Sequence, residues 1–435
     1  MRLSVIGCGY LGAVHAAAMV ELGHHVVGVD VDARKIEALS RGEAPFFEPG
    51  LPEILTSAIA TGRLSFTTDM SQVKGAEVHF IAVGTPQKAG SNAADLTYVD
   101  AAIDDLIPFL SDGDVVVGKS TVPVGTAARL GHKVESGSGA TLAWNPEFLR
   151  EGYAVKDTVA PDRLVYGLPA GPNGDRARAA LDVVYAKAIS DGTPLVVTDY
   201  ATAELVKVSA NAFLATKISF INAMAEIAEA TGADVTHLAD AIGFDARIGR
   251  RFLNAGVGFG GGCLPKDIRA FRARAEELGV GDSISFLKNI DEINLRRRQK
   301  PVDILIEELG SLSGKKIAVL GLSFKPESDD IRDSPALDVA VNLHGLGATV
   351  AATDPEAIAN SRAKHPQLNF VSSTQEALEG ADAVVLVTEW REYRRLDPVA
   401  VGNLVRNKLI VDGRNVLDVD AWRASGWIYR GLGRP

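Results

Sequence analysis

Short apolar runs alternate with longer, partly polar segments over the first 200 residues. The opening run, residues 2–6, is followed by a glycine turn and by the alanine-rich segment 13–22. Further runs at 25–29, 78–83 and 114–117 repeat this arrangement. Short apolar strands separated by helix-length segments are typical of a parallel sheet with helices on both faces. The pattern predicts a doubly wound α/β domain, with its ligands at the carboxyl ends of the strands.

The pattern changes between residues 199 and 231, where Gly and Pro are absent and Ala, Leu, Ile and Phe dominate. At 1.5 Å per residue, a helix of about 32 residues is roughly 48 Å long. Because this helix is apolar nearly all round, we expect it to be buried, in part against a partner subunit. Lys207 and Asn211, one turn apart, are candidate site residues, whereas a solvated position is plausible for Glu204.

Another helix is predicted from Asp282 to about Leu309, and Pro301 is expected to kink or divide it. Its basic run, Arg296-Arg-Arg-Gln-Lys300, is interpreted as a solvated face.

The last third of the chain repeats the first. A new strand and turn occupy residues 315–321, and residues 368–387 echo residues 64–83 with a one-residue slip. This second copy lacks the glycine turn of the first, but its loops carry Lys325, Arg332 and Arg414. A nucleotide-type sheet with basic loops suggests a second phosphorylated ligand.

The first glycine turn has the form Gly7-x-Gly9-x-x-Gly12. A strand before it, a helix after it and Asp30 at the end of the second strand together indicate a dinucleotide site. The helix N-terminus would bind the pyrophosphate. Asp30 is predicted to hold the adenosine ribose and to repel a 2′-phosphate, which favours NAD over NADP. Lys35 is a candidate for a further ribose contact, and Cys8 is interpreted as structural.

Composition narrows the class of protein. A chain of 435 residues exceeds what one core usually supports, so two or three domains are expected. The net charge of −10 argues against nucleic acid or an anionic membrane as a partner. No apolar run is long enough for a membrane span, and we expect no signal peptide. Two cysteines fit a reducing cytoplasm, and the eight histidines form no metal-binding pattern, so no metal is expected.

Cys263 is the strongest candidate for chemistry. It ends the glycine-rich run Gly256-Val-Gly-Phe-Gly-Gly-Gly and is followed by Leu-Pro-Lys266-Asp267. Glycines allow the backbone to approach a ligand closely, and a neighbouring Lys-Asp pair can favour a thiolate and transfer protons. We therefore interpret Cys263 as a nucleophile.

The chain resembles the UDP-glucose/GDP-mannose dehydrogenase family over essentially its whole length. The motifs that carry the resemblance are Gly7-x-Gly9-Tyr10-x-Gly12, Ser120-Thr121-Val-Pro, Asn145-Pro-Glu147-Phe-Leu-x-Glu151-Gly, Lys207-x-x-x-Asn211-Ala-Phe, Gly258-Phe-Gly-Gly-x-Cys263-x-x-Lys-Asp267 and Phe324-Lys325. The resemblance implies two doubly wound Rossmann-like domains joined by a long central helix and a helical dimerisation region. The implied domains are an NAD-binding domain at 1–200, a central domain with the cysteine loop at 201–300, and a UDP-sugar-binding domain at 301–435.

Members of this family oxidise the C6 alcohol of a nucleotide sugar to an acid with two NAD. The resemblance implies oxidation of UDP-glucose to UDP-glucuronate, a nucleotide sugar used in polysaccharide biosynthesis. It makes Cys263 the carrier of a thiohemiacetal and then a thioester, and Lys207 with Asp267 the proton-handling pair. Asn211 would stabilise the oxyanion, Thr121 would position water, and Glu147 would serve thioester hydrolysis. Glu147 and Glu151 share one face if Pro146 begins a helix.

The resemblance also implies binding sites. The cofactor residues would be Gly7, Gly9, Tyr10, Leu11, Gly12, Asp30, Lys35, Thr85, Thr121, Glu151, Lys266 and Arg332. The substrate residues would be Glu147, Phe148, Leu149, Glu151, Lys207, Asn211, Arg247, Phe252, Leu253, Gly258, Phe259, Gly260, Phe324, Lys325 and Arg414. A homodimer is expected, with Arg247 acting across the interface.

These residues are also compatible with other functions. A GDP-mannose dehydrogenase would share nearly every motif, so the base and the sugar are the least determined feature. Gly262 before Cys263 and the Lys266-Asp267 pair after it count against dehydrogenases of N-acetylated UDP-sugars. A two-electron hydroxyacid dehydrogenase would need neither Cys263 nor the last third of the chain. An NAD-sensing module is disfavoured by Cys263, Lys207 and Asp267.

Overall fold

Strands and helices alternate along most of the chain, and the computed structural model describes residues 1–435. The chain divides into two units. The first contains residues 1–210 and 269–281, and the second contains residues 211–268 and 282–435. Each unit is built around one sheet. No helix of the chain is both long enough and apolar enough to cross a membrane.

Eight strands form the sheet of the first unit. They are β1 (Arg2–Ile6), β2 (His25–Val29), β3 (Leu64–Thr67), β4 (Val78–Ile81), β5 (Val115–Gly118), β6 (Thr141–Trp144), β7 (Leu164–Gly167) and β8 (Leu195–Thr198). Their order in the sheet is β3-β2-β1-β4-β5-β6-β7-β8. All neighbours are parallel except β6 and β7, which meet antiparallel at Trp144 and Gly167.

Helices cover both faces of this sheet. They are α1 (Tyr10–Glu21), α2 (Ala33–Ser40), α3 (Leu51–Ala60), α4 (Thr97–Leu106), α5 (Thr126–Ser138), α6 (Ala154–Val159), α7 (Pro172–Val184) and α8 (Ala186–Ser190). Successive residues of a strand point to opposite faces. On β1, Leu3 and Val5 therefore pack in one apolar cluster with α1 and α3, whereas Ile6 packs in another with α4 and α5. The predicted doubly wound arrangement is confirmed.

The long helix α9 (Tyr200–Thr231) has 32 residues and confirms the prediction made from the absence of Gly and Pro. The helices that follow it are α10 (Val235–Gly243), α11 (Leu264–Glu277), α12 (Phe286–Arg297) and α13 (Lys300–Leu309). Pro301 lies in the first turn of α13, so it divides the helix expected at 282–309. A proline is tolerated there because the first N–H groups of a helix have no intrahelical acceptor.

Five parallel strands form the sheet of the second unit. They are β9 (Lys316–Leu320), β10 (Thr349–Thr353), β11 (Ala383–Leu386), β12 (Leu409–Asp412) and β13 (Ile428–Gly431), in the order β10-β9-β11-β12-β13. The remaining helices are α14 (Pro335–Gly345), α15 (Ile358–Lys364), α16 (Thr374–Leu378), α17 (Arg391–Arg394), α18 (Pro398–Gly402) and α19 (Val419–Ala424). Apolar clusters again line both faces of the sheet.

The internal repeat is present but incomplete. In the first sheet, the segment at 64–67 is the strand β3 beside β2. In the second sheet, the corresponding segment makes only an isolated bridge between Phe370 and Ala352 of β10. The second sheet is therefore narrower on this side.

The basic run at the end of α12 is not the solvated face that we expected. Arg297 and Arg298 are buried. Arg297 pairs with Glu229 at 3.0 Å, and the Arg298 guanidinium lies 2.7 Å from Asp333 and 2.6 Å from Asp338. Of the three arginines, Arg296 is the exposed one, and it pairs with Glu226. A buried arginine needs a carboxylate to offset the loss of hydration of its charge, and the carboxylates that pair with Arg297 and Arg298 are distant in sequence.

Candidate active site

The glycine turn after β1 has the geometry of a phosphate-binding site. Gly7 has a φ of +89°, and a Cβ there would lie 2.7 Å from Val83. A Cβ on Gly12 would lie 1.8 Å from the Gly7 carbonyl oxygen, so α1 can begin this close to the strand only with glycine. Gly9 differs, because a Cβ there would meet nothing within 4 Å. Gly9 caps α1 without a side-chain hydrogen bond, which leaves open space at a helix N-terminus.

Asp30 lies directly beyond β2 and beside this turn. One of its oxygens accepts a hydrogen bond from the Cys8 N–H at 2.8 Å, and the other accepts from the Asp32 N–H at 3.0 Å. The Lys35 ammonium donates to Asp30 at 2.8 Å. The Cys8 thiol is buried and free, and burial raises its pKa, which fits the structural role predicted for it. The open turn and the adjacent carboxylate fit the pyrophosphate and ribose of a dinucleotide.

Tyr10 and Leu11 begin α1, and Leu11 packs against the apolar core. The Tyr10 hydroxyl donates a short hydrogen bond to Glu48. Burial and this bond raise the pKa of the hydroxyl. Glu48 is buried and also accepts from the N–H groups of Gly152 at 2.6 Å and Ala154 at 2.7 Å.

Glu48 was not among the residues predicted from the sequence. It ties the loop at 145–153 to the glycine turn through Tyr10. The available signal was a single acid inside the apolar, proline-containing segment Phe46-Phe-Glu-Pro-Gly50.

Two loops meet at the carboxyl edge of the first sheet, after β4 and β5. The Thr85 hydroxyl donates to the Thr121 carbonyl at 2.8 Å, and Ser120 donates to the Val83 carbonyl at 2.7 Å. The structure thus brings together Thr85 and Thr121, both predicted as cofactor residues.

The loop after β6 carries Glu147, Phe148, Leu149 and Glu151, and it contains no helix. Pro146 does not begin a helix, so the condition under which Glu147 and Glu151 would share one helical face is not met. Glu147 instead accepts hydrogen bonds from the N–H groups of Phe148 and Leu149, each at 2.7 Å. The N–H of Arg150 donates to Asp157 at 2.9 Å. These side chains satisfy the backbone donors, so no helical turn is needed.

Lys207 lies on α9, in the part that belongs to the first unit. Its ammonium is 5.5 Å from the centroid of the Phe148 ring, and the Arg163 guanidinium is 3.9 Å from the same ring. Glu204, for which solvation was plausible, is buried and accepts from the N–H groups of Gly125 and Ala127 at the start of α5. Burial raises the pKa of Glu204, and these hydrogen bonds oppose the shift.

In the second unit, Cys263 stands at the N-terminus of α11. Its carbonyl oxygen accepts the first helical hydrogen bond, from the Asp267 N–H at 2.9 Å, and its side chain is exposed. The positive end of a helix favours a thiolate over a thiol. The position therefore suits a nucleophile.

The glycines before Cys263 permit close packing. A Cβ on Gly258 would lie 2.3 Å from the Asn294 side-chain oxygen, and one on Gly260 would lie 2.3 Å from the Asp333 carbonyl. Phe259 is buried between them, and its N–H donates to Asn294 at 2.7 Å.

Asp267 is the centre of a buried polar cluster. The Asn211 amide donates to one of its oxygens at 2.6 Å, and the Lys266 ammonium donates to the other at 2.6 Å. Asp267 is 2% exposed and Asn211 is 8% exposed. The structure brings these three predicted residues together around one carboxylate.

The basic residues of the loops in the second unit are held by the protein. Arg414 donates to the carbonyls of Val387, Gly258 and Phe324 at 2.8 to 3.1 Å. Arg332 pairs with Asp330 at 2.6 Å and lies against Gly262. Lys325 and Phe324 lie partly exposed, with the Lys325 ammonium 5.5 Å from the Phe324 ring. Arg414 therefore braces three loops as well as being a candidate for phosphate contact.

The remaining predicted substrate residues lie between α10 and Cys263. The Arg247 side chain is 89% exposed and pairs with Asp245 at 2.6 Å. Phe252 is 40% exposed and has a φ of 65°, a strained conformation for an aromatic residue. Leu253 is buried in an apolar cluster with Ile221 of α9. Its side chain is thus part of the core, and only its backbone remains available to a ligand.

Comparisons with known proteins agree with this geometry. Models of the UDP-glucose/GDP-mannose dehydrogenase family match three parts of the chain: the NAD binding domain matches residues 1–189, the central domain 201–296, and the UDP binding domain 318–419.

Full-length relatives are similar as well. The UDP-glucose 6-dehydrogenase of Rhizobium meliloti strain 1021 is 42% identical over 440 residues, with 100% of both chains covered. UDP-glucose 6-dehydrogenase TuaD of Bacillus subtilis strain 168 is 40% identical, with 100% of this chain and 93% of the relative covered. Among solved structures, a UDP-glucose dehydrogenase from Pyrobaculum islandicum has a TM-score of 0.91 and 39% identity, covering 100% of this chain and 98% of that one.

Proposed function

The chain belongs to the UDP-glucose/GDP-mannose dehydrogenase family, and from this premise we propose that it oxidises UDP-glucose to UDP-glucuronate with two NAD. The relatives that match it over its whole length bear the name UDP-glucose 6-dehydrogenase. The structural observation that supports the chemistry best is Cys263, an exposed thiol at the N-terminus of a 14-residue helix, four residues before the buried carboxylate of Asp267.

An alcohol loses four electrons on its way to a carboxylate, and NAD, when bound, supplies the hydride acceptor for each of the two oxidations. Between them, the Cys263 thiolate attacks the C6 aldehyde, and a C–S bond forms as the oxygen takes up a proton. The resulting thiohemiacetal is oxidised to a thioester. Water then attacks the thioester carbon and the C–S bond breaks, which releases the acid and regenerates Cys263.

The roles of the other residues follow from their chemistry. We assign proton transfer to Lys207 and Asp267, and hydrogen bonding of the developing oxyanion to Asn211. Glu147 serves thioester hydrolysis, and Thr121 positions the water.

The binding residues are proposals of the same kind. For NAD we propose Gly7, Gly9, Tyr10, Leu11, Gly12, Asp30, Lys35, Thr85, Thr121, Glu151, Lys266 and Arg332. For the nucleotide sugar we propose Glu147, Phe148, Leu149, Glu151, Lys207, Asn211, Arg247, Phe252, Leu253, Gly258, Phe259, Gly260, Phe324, Lys325 and Arg414. Because the mechanism needs Cys263 in its reduced form, we also propose that the enzyme works in the reducing cytoplasm.

The test is a panel of nucleotide sugars with NADH and products counted. We expect UDP-glucose to be preferred, with about two NADH per sugar, because two oxidations occur on one carbon. Cys263→Ser should lose steady turnover while staying folded, and mass spectrometry should detect slow aldehyde release or a trapped adduct. One NADH per sugar with free aldehyde in the wild type would contradict the thioester route, and preference for GDP-mannose would contradict the substrate.

We further propose that the active form is a homodimer built on α9. Phe213, Phe220 and Ile227 are 67%, 46% and 55% exposed. Residues seven apart lie on nearly the same side of a helix, so these three form one apolar stripe. A second copy of the same helix would cover it by a two-fold contact.

Arg247 is proposed to reach the sugar site of the partner subunit, since an arginine offers fixed donors and a permanent charge. The experiment is a mixed dimer of an Arg247→Ala chain with a Cys263→Ala chain. About half of the wild-type activity per dimer should return, because the site that keeps Cys263 would borrow the intact arginine. A mixed dimer as inactive as its parents means that Arg247 does not act in trans.

A further inference from the structure

A buried lysine lies beneath Glu147, and the mechanism above does not use it. Lys119 directly follows β5 and is 4% exposed. Its ammonium is 2.9 Å from the Asn145 side-chain oxygen, 3.4 Å from the Tyr185 hydroxyl and 3.4 Å from Glu147 Oε2. Tyr185 in turn donates to the same Asn145 oxygen at 2.7 Å, and Asn145 donates to the Val165 carbonyl at 3.0 Å.

This network determines which way the Glu147 carboxylate points. Oε1 accepts from the N–H groups of Phe148 and Leu149, and Oε2 lies against Lys119. Two backbone donors on one oxygen and a cation on the other leave little rotational freedom to the carboxylate. The side chain of Glu147 is still 16% exposed, so it remains accessible from outside the network.

A lysine in this place is costly for the fold. Burial lowers the pKa of Lys119, and the Glu147 carboxylate opposes that shift. An apolar side chain of similar length would fill the same volume without the cost of desolvating an ammonium. The structure thus bears a cost that packing alone does not require.

Lys119 is the cation that the structure pairs with Oε2 of Glu147. A cavity of about 40 Å³ beside Glu147 is lined by Lys119, His15, Asp157, Asp162, Arg163 and Tyr185, among others. Burial lowers the pKa of His15 well below its usual value, so His15 is neutral, and burial raises the pKa of Tyr185. Arg163 is stacked on Phe148 at 3.9 Å.

We propose that Lys119 is a positioning residue for thioester hydrolysis, which, with Asn145 and Tyr185, holds Glu147 as an oriented carboxylate. The inference rests on the proposed function, since that function assigns Glu147 to hydrolysis. It predicts that loss of the Lys119 charge slows release of the acid and leaves the two oxidations nearly unchanged.

The test is Lys119→Met, with Lys133→Met as the matched control. Lys133 pairs with Asp104 at the surface of the same unit, so its substitution removes one positive charge without touching Glu147. In single turnover, Lys119→Met should release two NADH per site at near the wild-type rate. Decay of the acyl-Cys263 species, followed by quenching and intact mass spectrometry, should slow at least about tenfold. This is less than the roughly 10²–10⁴-fold contribution of a whole general base, because the Glu147 carboxylate itself remains. KM for UDP-glucose and NAD should change less than about threefold.

A double-mutant comparison separates positioning from damage to the structure. In a Glu147→Gln background, adding Lys119→Met should slow acyl-enzyme decay no further, because the two residues act as one unit. Decay at the wild-type rate in Lys119→Met, equal slowing of oxidation and hydrolysis, or full additivity with Glu147→Gln would each overturn the inference.

Two further arms complete the design. If Lys119→Met does not fold, Tyr185→Phe is the deciding variant. It removes one hydroxyl of the network and should lengthen the lifetime of the acyl-enzyme. Decay at the wild-type rate in this variant overturns the inference. Failure of the proposed function is visible separately, since a wild-type enzyme that forms no UDP-glucuronate from UDP-glucose refutes that function before any variant is compared.

Discussion

Each of the two sheets has an aspartate directly after its second strand, and the two aspartates differ in their hydrogen-bond partners. Asp30 follows β2 and Asp354 follows β10. In the first unit the N–H of Gly7 donates to the Val29 carbonyl at 2.8 Å, and in the second the N–H of Gly321 donates to the Thr353 carbonyl at 2.9 Å.

The next residue donates to the aspartate in both units. The Cys8 N–H does so at 2.8 Å and the Leu322 N–H at 2.7 Å. The strand, turn and acid of the first third of the chain therefore recur in the last third.

The two carboxylates differ in their other partners. Asp354 is 2% exposed and accepts from the Ser323 N–H and hydroxyl, from the Trp390 indole, and from the backbone beyond β10. Asp30 is 8% exposed, and its remaining partners are the N–H of Asp32 and the ammonium of Lys35. The Asp354 carboxylate is therefore held by more donors of the protein than the Asp30 carboxylate is.

The turns differ in the same sense. In the first unit α1 begins directly after the glycine turn, at Tyr10, so its N-terminus faces the carboxyl edge of the sheet. In the second unit a long loop separates Gly321 from α14, which begins at Pro335 and is capped by the Ser334 hydroxyl. A parallel sheet of this kind can therefore hold a dinucleotide only where the start of the helix and the carboxylate are left open.

The largest expected effect concerns the two aspartates. Asp354→Ala should lower the free energy of unfolding of the second unit by about 4 kcal/mol, because it leaves several buried donors without an acceptor. Asp30→Ala should cost the first unit about 1–2 kcal/mol, because fewer donors lose a partner. Urea titrations followed by circular dichroism measure both. Equal losses in the free energy of unfolding would contradict the distinction between a structural and a ligand-facing aspartate.

The matched glycine pair tests the turns. Gly321→Ala should destabilise the protein by about 2–4 kcal/mol, because alanine is strained at positive φ and would have to displace Thr388. Its φ is +112°, and a Cβ there would lie 2.4 Å from the Thr388 Cβ.

Gly9→Ala should leave stability within about 1 kcal/mol of the wild type, since its φ is −70° and nothing lies near its Cβ. It should weaken NAD binding at least about tenfold, because the methyl group occupies the approach of the pyrophosphate. Calorimetric titration with NAD distinguishes the two variants. Unchanged NAD affinity in Gly9→Ala would place the cofactor elsewhere.

The smallest expected effect is on the preference for NAD over NADP, which tests the role of Asp30. NAD should be preferred over NADP by at least about tenfold in kcat/KM, or about 1.4 kcal/mol. Asp30→Asn should narrow that preference by removing the repulsion of the 2′-phosphate. Steady-state rates with both cofactors provide the measurement. Comparable rates in the wild type would show that Lys35, paired with Asp30 at 2.8 Å, overrides the acid.

Much of this molecule could be predicted from local patterns. The strands, the glycine turn, Asp30 and the division of the helix at Pro301 depend on residues close in sequence. The length of α9 follows from the absence of helix breakers between 200 and 231. What could not be predicted depends on pairing over long separations. Arg297 is buried in an ion pair with Glu229, and Glu204 is buried where it accepts hydrogen bonds from two N–H groups at the start of α5.

The loop after β6 shows why the local pattern failed there. A proline followed by an acid is a common start of a helix, and the sequence around Pro146 has that form. The backbone donors of the loop are instead taken by Glu147 itself, by Asp157 and by the distant Glu48. A side chain that is distant in sequence can accept hydrogen bonds from the backbone N–H groups of a loop, just as the carbonyl groups of a helix would. The periodicity of the sequence does not reveal such a partner.

By itself, the sequence determined the types of element, the glycine turn at residues 7–12 and the nucleophile candidate Cys263. These depend on covalent geometry and on side-chain chemistry, which each residue carries wherever it lies. The tertiary structure alone decided that Lys119 faces Glu147, that the Asn211 amide donates to Asp267, and that the Trp390 indole donates to Asp354. Hydrogen bonds and ion pairs act over about 3 Å. They can therefore form only after the fold has brought together residues that lie far apart in the chain.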